Sequence, residues 1–212
     1  MLKRSLQMMT ATVVAIGMVS AASAGPIAGV TYTYDPATTP FNGFAPDTGG
    51  QLTDGIHGSL VPDPVVDPLA AFRNGTWVGF TENGATNPQP GVDLNLGGTF
   101  SVDSVEIEIL IEPGPFIFAP QTPTGGHAVT ILDGATVLAT FDGFPAIDFG
   151  AAPSIETAVI PLGGVSLANL TVDIRSPFDH IFVSEITVNQ VPEPASLALV
   201  SAGGLLVLRR RR

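Results

Sequence analysis

Val105, Ile107, Ile109 and Ile111 alternate with Glu106 and Glu108. That period of two predicts a half-buried β-strand with the two glutamates on its solvated face. Shorter runs of the same character recur along the chain. Residues 29–34 (GVTYTY) and 76–81 (TWVGFT) are β-branched and aromatic, and each predicts a strand. Residues 92–96, 157–162, 170–174 and 180–188 add four more. Residues 127–132 and 135–141 flank Asp133-Gly134, which predicts a hairpin closed by a tight primed turn. Pro, Gly, Asn and Thr dominate residues 35–50, 82–91 and 112–126, which read as loops. Residues 61–68 (VPDPVVDP) are extended, with prolines that disfavour pairing inside a sheet. No run of ten or more residues between 25 and 190 has helical periodicity. Short strands separated by Gly/Pro turns predict an all-β sandwich.

The two ends follow another pattern. Lys3 and Arg4 precede an apolar stretch over residues 8–19, and Ala22-Ser23-Ala24 has the small-x-small form of a signal-peptide cleavage site. Cleavage is expected after Ala24, with residues 1–24 a signal helix that is removed. At the other end, Pro192, Glu193 and Pro194 lead into an uncharged apolar run over 195–208 and then four arginines, 209–212. As a helix, the run from 191 to 208 is about 27 Å long, close to a bilayer's hydrocarbon core of roughly 30 Å. The arginines resist translocation, so they should stay cytoplasmic and leave Glu193 on the outer side. The globular domain is therefore expected over residues 25–190.

Charge sharpens this picture. The whole chain carries −11, but six of its eight basic residues lie in the two end segments. Between residues 25 and 190 only Arg73 and Arg175 face eighteen acidic residues, a net −16 with neutral histidines. Such a surface repels phosphate backbones, which argues against a nucleic-acid partner, and attracts divalent cations. With no cysteine, the domain must be held by packing, strand pairing or bound ions.

The C-terminal order of Pro-Glu-Pro, apolar run and arginine block resembles the sorting signal of PEP-CTERM proteins. The resemblance implies export, transient anchoring by a transmembrane helix over 195–208 in the inner membrane of a Gram-negative-type bacterium, and processing near Pro192, Glu193 and Pro194 by an exosortase. The final location would be the cell envelope or the extracellular space. A plain tail anchor is the alternative reading of the same residues.

A second resemblance runs through the domain. The segments 47–55 (DTGGQLTDG), Gly58-Ser59, 77–80 (WVGF), 93–98 (DLNLGG), 102–107 (VDSVEI), 116–120 (FIFAP), Asp133-Gly134 and 183–188 (VSEITV) are similar, in order, to discoidin-like, galactose-binding-like domains. This implies a jelly-roll sandwich of about eight strands, without catalysis, with a structural Ca²⁺ near the first loop and carbohydrate bound by loops at one end. Carried over by position, Asp54, Ser59 and Glu185 would be the Ca²⁺ ligands. Two carboxylates, a hydroxyl and backbone carbonyls suit a cation that takes six to eight hard oxygens. The competing reading is an Asx-turn at Asp54 and a solvated strand residue at Glu185. The chain has Ile56 and His57 where many relatives have a further acidic or amide group.

A sugar site needs an aromatic platform and polar groups that fork hydroxyls. Loop residues Phe41, Phe44, Phe72 and Phe116 are candidate platforms. Arg73 would orient a hydroxyl or a uronate, or else pair with a neighbouring aspartate. Trp77, inside a strand, reads as core. Catalytic patterns are weak: Glu106 and Glu108 belong to a solvated face, Asp179-His180 has no GxSxG serine to serve, and His57, His127 and His180 have no zinc-site spacing. Asn74-Gly75-Thr76 and Asn169-Leu170-Thr171 match the N-glycosylation pattern, which has little weight in a bacterial envelope protein. The reading is an exported, non-catalytic polysaccharide-binding module. The alternatives are an architectural surface or matrix protein and, more distantly, a glycan-processing enzyme.

Overall fold

The computed structural model describes residues 25–34, 47–61, 75–81, 90–113, 117–118, 128–145, 152–175 and 180–192. The signal peptide, the segment 195–208 and the arginine block lie outside these residues. So do Ala24, Phe41, Phe44, Phe72, Arg73, Phe116, Glu193 and Pro194. The chain divides into the compact unit Pro26–Gln190 and a second unit of Met1–Gly25 with Val191–Arg212.

Nine strands make up the described part of the compact unit and its start. They are β1 (Gly25–Pro26), β2 (Thr31–Tyr34), β3 (Val78–Thr81), β4 (Gly91–Pro113), β5 (Ile117–Phe118), β6 (Val129–Asp133), β7 (Thr136–Phe141), β8 (Ser154–Ile174) and β9 (His180–Gln190). A single 3₁₀ turn, Gln51–Thr53, is the one helical element among the described residues. The expected all-β architecture is present.

Two expected pairs of strands are each one long strand. Residues 92–96 and 105–111 both belong to β4, and 157–162 and 170–174 both belong to β8. Glycines form the corners between the two halves of each long strand. Gly97, Gly163 and Gly164 have φ of 75°, 68° and 85°, a backbone state open to glycine at little cost. The β4–β8 register slips between Asn95 and Phe100, at Gly97, and again between Val102 and Ser104, opposite Gly163 and Gly164. Bulges of this kind bend a strand so that it leaves one sheet and enters another.

The bends divide the pairing into two sheets. In the first, β2, residues 91–95, residues 169–173, β6 and β7 lie side by side. In the second, residues 154–161, residues 104–111, β9 and β3 do so. All these pairs are antiparallel. The inner faces meet in one core: Val92, Leu94, Ile131 and Val172 from the first sheet join Val105, Ile107, Ile109, Ile160 and Val183 from the second. The predicted inward set of 105, 107, 109 and 111 is buried as expected. In the β6–β7 hairpin, Gly134 alone of the two central residues has positive φ, as a II′ turn requires.

The outer face of the second sheet departs from expectation. It is covered, not solvated. Trp77, Leu110 and Phe182 form a small separate core there. Residues 55–61 strap across it, and Trp77 Nε1 donates to the carbonyl of Ser59 at 3.0 Å. Trp77 is thus buried as predicted, but behind the sheet and not between the sheets.

Candidate functional site

The register explains how the first candidate cluster forms. Glu108 pairs with Glu185, but Ile109 pairs with Val183, so β9 carries a bulge at this point. The bulge turns consecutive residues, Ser184 and Glu185, onto the same outer face as Glu108. Both are buried. Ser184 Oγ donates to Glu108 Oε1 at 2.6 Å, and the same oxygen accepts the Gly58 N–H at 2.5 Å. His57 Nδ1 lies 3.1 Å from Glu108 Oε2. Glu108 is therefore the anchor of the strap, a role its place in a clean alternation did not reveal. Glu106 accepts from Asn189 Nδ2 at 2.7 Å.

Asp54 and Glu185, two of the three residues carried over by the resemblance, lie near one another. Asp54 Oδ1 accepts the Ile56 N–H at 2.8 Å, an Asx-turn, and Glu185 Oε2 accepts the Gly55 N–H at 3.1 Å. Burial of Glu185 pushes its pKa up to about 7. The Gly55 N–H opposes the rise, and the Asp54 carboxylate nearby adds to it. Ser59 is placed differently: its hydroxyl accepts the Val61 N–H at 3.1 Å, and its own N–H donates to Thr76 Oγ1 at 3.1 Å. Among the described residues, no three His, Asp or Glu side chains converge as a metal-holding group. Asp54 and Glu185 are the two carboxylates of this cluster nearest the Gly55 turn, and the Ser59 hydroxyl closes the turn to Val61.

The first loop is pinned by a second acidic residue. Tyr34 and Tyr32 donate their hydroxyls to Asp47 Oδ2 at 2.6 and 2.9 Å. Tyr32 Oη in turn accepts the Gly50 N–H at 3.0 Å. Burial, reinforced by the Asp47 carboxylate, raises Tyr32 to about 12 and Tyr34 further still. Both phenols stay protonated and act as donors.

A different surface has the form of a ligand site. A cleft of about 430 Å³ lies on the outer face of the first sheet, bordered by the Asp133-Gly134 turn. Its floor is two rows across three strands. Thr31, Asn95 and Asn169 are in register in one row; Thr33, Asp93 and Thr171 are in register in the next. The rows are two residues apart along each strand, about 7 Å. Thr171 Oγ1 donates to Asp93 Oδ1 at 2.6 Å, and Asn95 Oδ1 accepts the Gly97 N–H at 2.8 Å. Asp and Asn are depleted in strands, yet here they occupy adjacent strands within a sheet. The sequence did carry that signal: Asp93 and Asn95 alternate with Val92, Leu94 and Leu96, as Asn169 and Thr171 do with Leu170 and Val172. The floor offers hydroxyls, amides and a carboxylate in a regular array, which suits a ligand with many hydroxyls.

Comparisons with known proteins bear on the two parts of the chain separately. No curated protein matches the sequence. Among solved structures, the chain is similar to CBM32-1 from a family 31 glycoside hydrolase of Clostridium perfringens, at 8% identity and a TM-score of 0.43, over 78% of this chain and 96% of that one. It is similar to a fucose binding module of Streptococcus pneumoniae at 12% identity and a TM-score of 0.42, over 77% and 96%. It is also similar to the lectin binding domain of Lectinolysin complexed with Lewis b, at 14% identity and a TM-score of 0.42, over 80% and 98%. Residues 190–212 match the PEP-CTERM protein-sorting motif, so the chain ends, directly after β9, in the sorting signal that its Pro-Glu-Pro, apolar and arginine elements resemble.

Proposed function

We propose that this is an exported, non-catalytic surface protein whose sandwich binds polysaccharide, delivered to the envelope by its C-terminal signal. The observation that carries the binding half is the cleft on the first sheet, with its two in-register rows of hydroxyl, amide and carboxylate side chains. The match over residues 190–212 supports the delivery half. Because β9 ends at Gln190, a cut near Pro192, Glu193 and Pro194 by an exosortase-type enzyme releases the sandwich whole. Export would place the protein in the envelope or outside the cell, after transient anchoring through residues 195–208.

Calcium belongs to this reading as a structural ion. Asp54 and Glu185 would hold it, and its charge would offset the burial, and after that the neighbouring carboxylates, that raise Glu185. The mature protein, purified from the producing cells, should bind at least one polysaccharide in a panel of envelope and extracellular glycans. Failure of the folded protein to bind any of them refutes the binding half and favours the architectural reading.

A further inference from the structure

We infer that the cleft on the first sheet selects amine-bearing glycans, of the de-N-acetylated hexosamine type, over neutral and acidic ones. This rests on the glycan-binding reading and specifies the class of sugar. Asp93 stands in the middle of the floor, between Thr33 and Thr171 in its row. Asp133 stands at the rim, on the β6–β7 turn. Among the described residues, no Lys or Arg lines the cleft. The domain around it carries −16, so uronate- or sulfate-bearing chains are repelled before they arrive. An ammonium on the sugar reverses that sign and adds a donor that a carboxylate accepts strongly.

The remaining groups suit the rest of such a sugar. Thr31, Asn95 and Asn169 form a row with no formal charge, holding both donors and acceptors for hydroxyls. The row of Thr33, Asp93 and Thr171 lies about 7 Å away and holds the carboxylate. A chain laid across the rows therefore meets a neutral hydroxyl-binding strip beside an anionic one. An unmodified amino group fits that division; an N-acetyl group has no positive charge to offer.

The test uses the mature protein and three short probes of equal length: a glucosamine oligosaccharide, its fully N-acetylated counterpart, and a neutral β-glucan oligosaccharide. Titration calorimetry at low ionic strength and at 0.15 M salt should give about tenfold tighter binding of the amine probe than of either other, with the gap shrinking as salt rises. Asp93→Asn keeps an oxygen to accept the Thr171 hydroxyl, so the sheet is undisturbed while the charge is lost. It should bring the amine probe down to the level of the other two. Asp103→Asn removes the same charge outside the cleft and should leave the preference intact. Equal binding of all three probes by wild type overturns amine selection and leaves the glycan-binding reading standing. Equal weakening by Asp93→Asn and Asp103→Asn overturns it as well, because the attraction is then diffuse. No binding of any probe by a folded protein overturns it and counts against both readings.

Discussion

Gly58→Ala is the sharpest test of how the strap holds the second sheet. A Cβ at Gly58 would stand 2.9 Å from Trp77 Cε2 and closer still to Cζ2 and Cη2. Trp77 is fully buried, so the ring cannot swing into solvent without opening its small core with Leu110 and Phe182. The strap must lift instead. Overpacking of this kind costs about 1–3 kcal/mol. Lifting also lengthens two bonds: the Gly58 N–H to Glu108 Oε1, now 2.5 Å, and the Trp77 Nε1 donation to Ser59, now 3.0 Å. Their partial loss adds about 1–2 kcal/mol. A total of roughly 2–5 kcal/mol in a domain of this size lowers Tm by about 4–20 °C. Trp77 is the protein's one tryptophan, so its fluorescence reports the site directly during thermal unfolding. The variant should melt early and emit further to the red. Gly98→Ala is the control, since its Cβ would meet nothing nearer than 3.4 Å, from Phe100. If Gly58→Ala melts with wild type and keeps its emission maximum, the strap does not rest on Trp77 and the account of the covered face is wrong.

Four further outcomes are expected. Glu185 binds its proton more tightly folded than unfolded, so its contribution to stability is full below its ordinary value of 4.5 and is lost as pH rises to about 7, by an amount on the order of 3 kcal/mol. In chelator, Glu185→Gln should remove that part of the pH dependence; identical slopes for both proteins would show that Glu185 is not the titrating group. Ca²⁺ at neutral pH should raise Tm by binding only the folded form, and Asp54→Asn should cancel the rise; an unchanged rise places the ion elsewhere. Tyr34→Phe removes a 2.6 Å donation to Asp47 and should cost about 1.5–3 kcal/mol in chemical denaturation, with a change under 0.5 kcal/mol counting against the clamp. Replacing Pro192, Glu193 and Pro194 with alanines should leave a longer, membrane-retained species by mass spectrometry, whereas an unchanged mature mass removes the processing step.

Much of the fold is legible locally. The alternation at 105–111 gives both the strand and its buried face, because a single sheet face has a period that survives in sequence. The β6–β7 hairpin is equally plain, since its turn needs Gly134. The corners at Gly97 and Gly163-Gly164 are not, because a glycine that ends a strand and one that bends it look alike until the partner strand is known. The same limit hid the strap. Gly58, Glu108 and Ser184 meet across separations of 50 and 76 residues, set by the sheet's register and not by any local pattern. The bulge that turns both Ser184 and Glu185 outward is likewise a property of the pairing. Asp54 and Glu185 were found by resemblance, and the structure brings them together. Ser59 was found the same way, and its hydroxyl serves its own turn. The cleft residues Asp93, Asn95 and Asn169 were visible as poor strand formers in good strand positions. Their meaning required knowing that two strands set them in one row.

The most direct test of the glycan-binding cleft is hydrogen exchange on the mature protein, with and without a saturating polysaccharide from the panel. Protection is predicted on β2 and on residues 91–95 and 169–173, the three strands of the floor. Protection confined to residues 54–61, with those strands unchanged, would contradict the account and move the binding site to the loops.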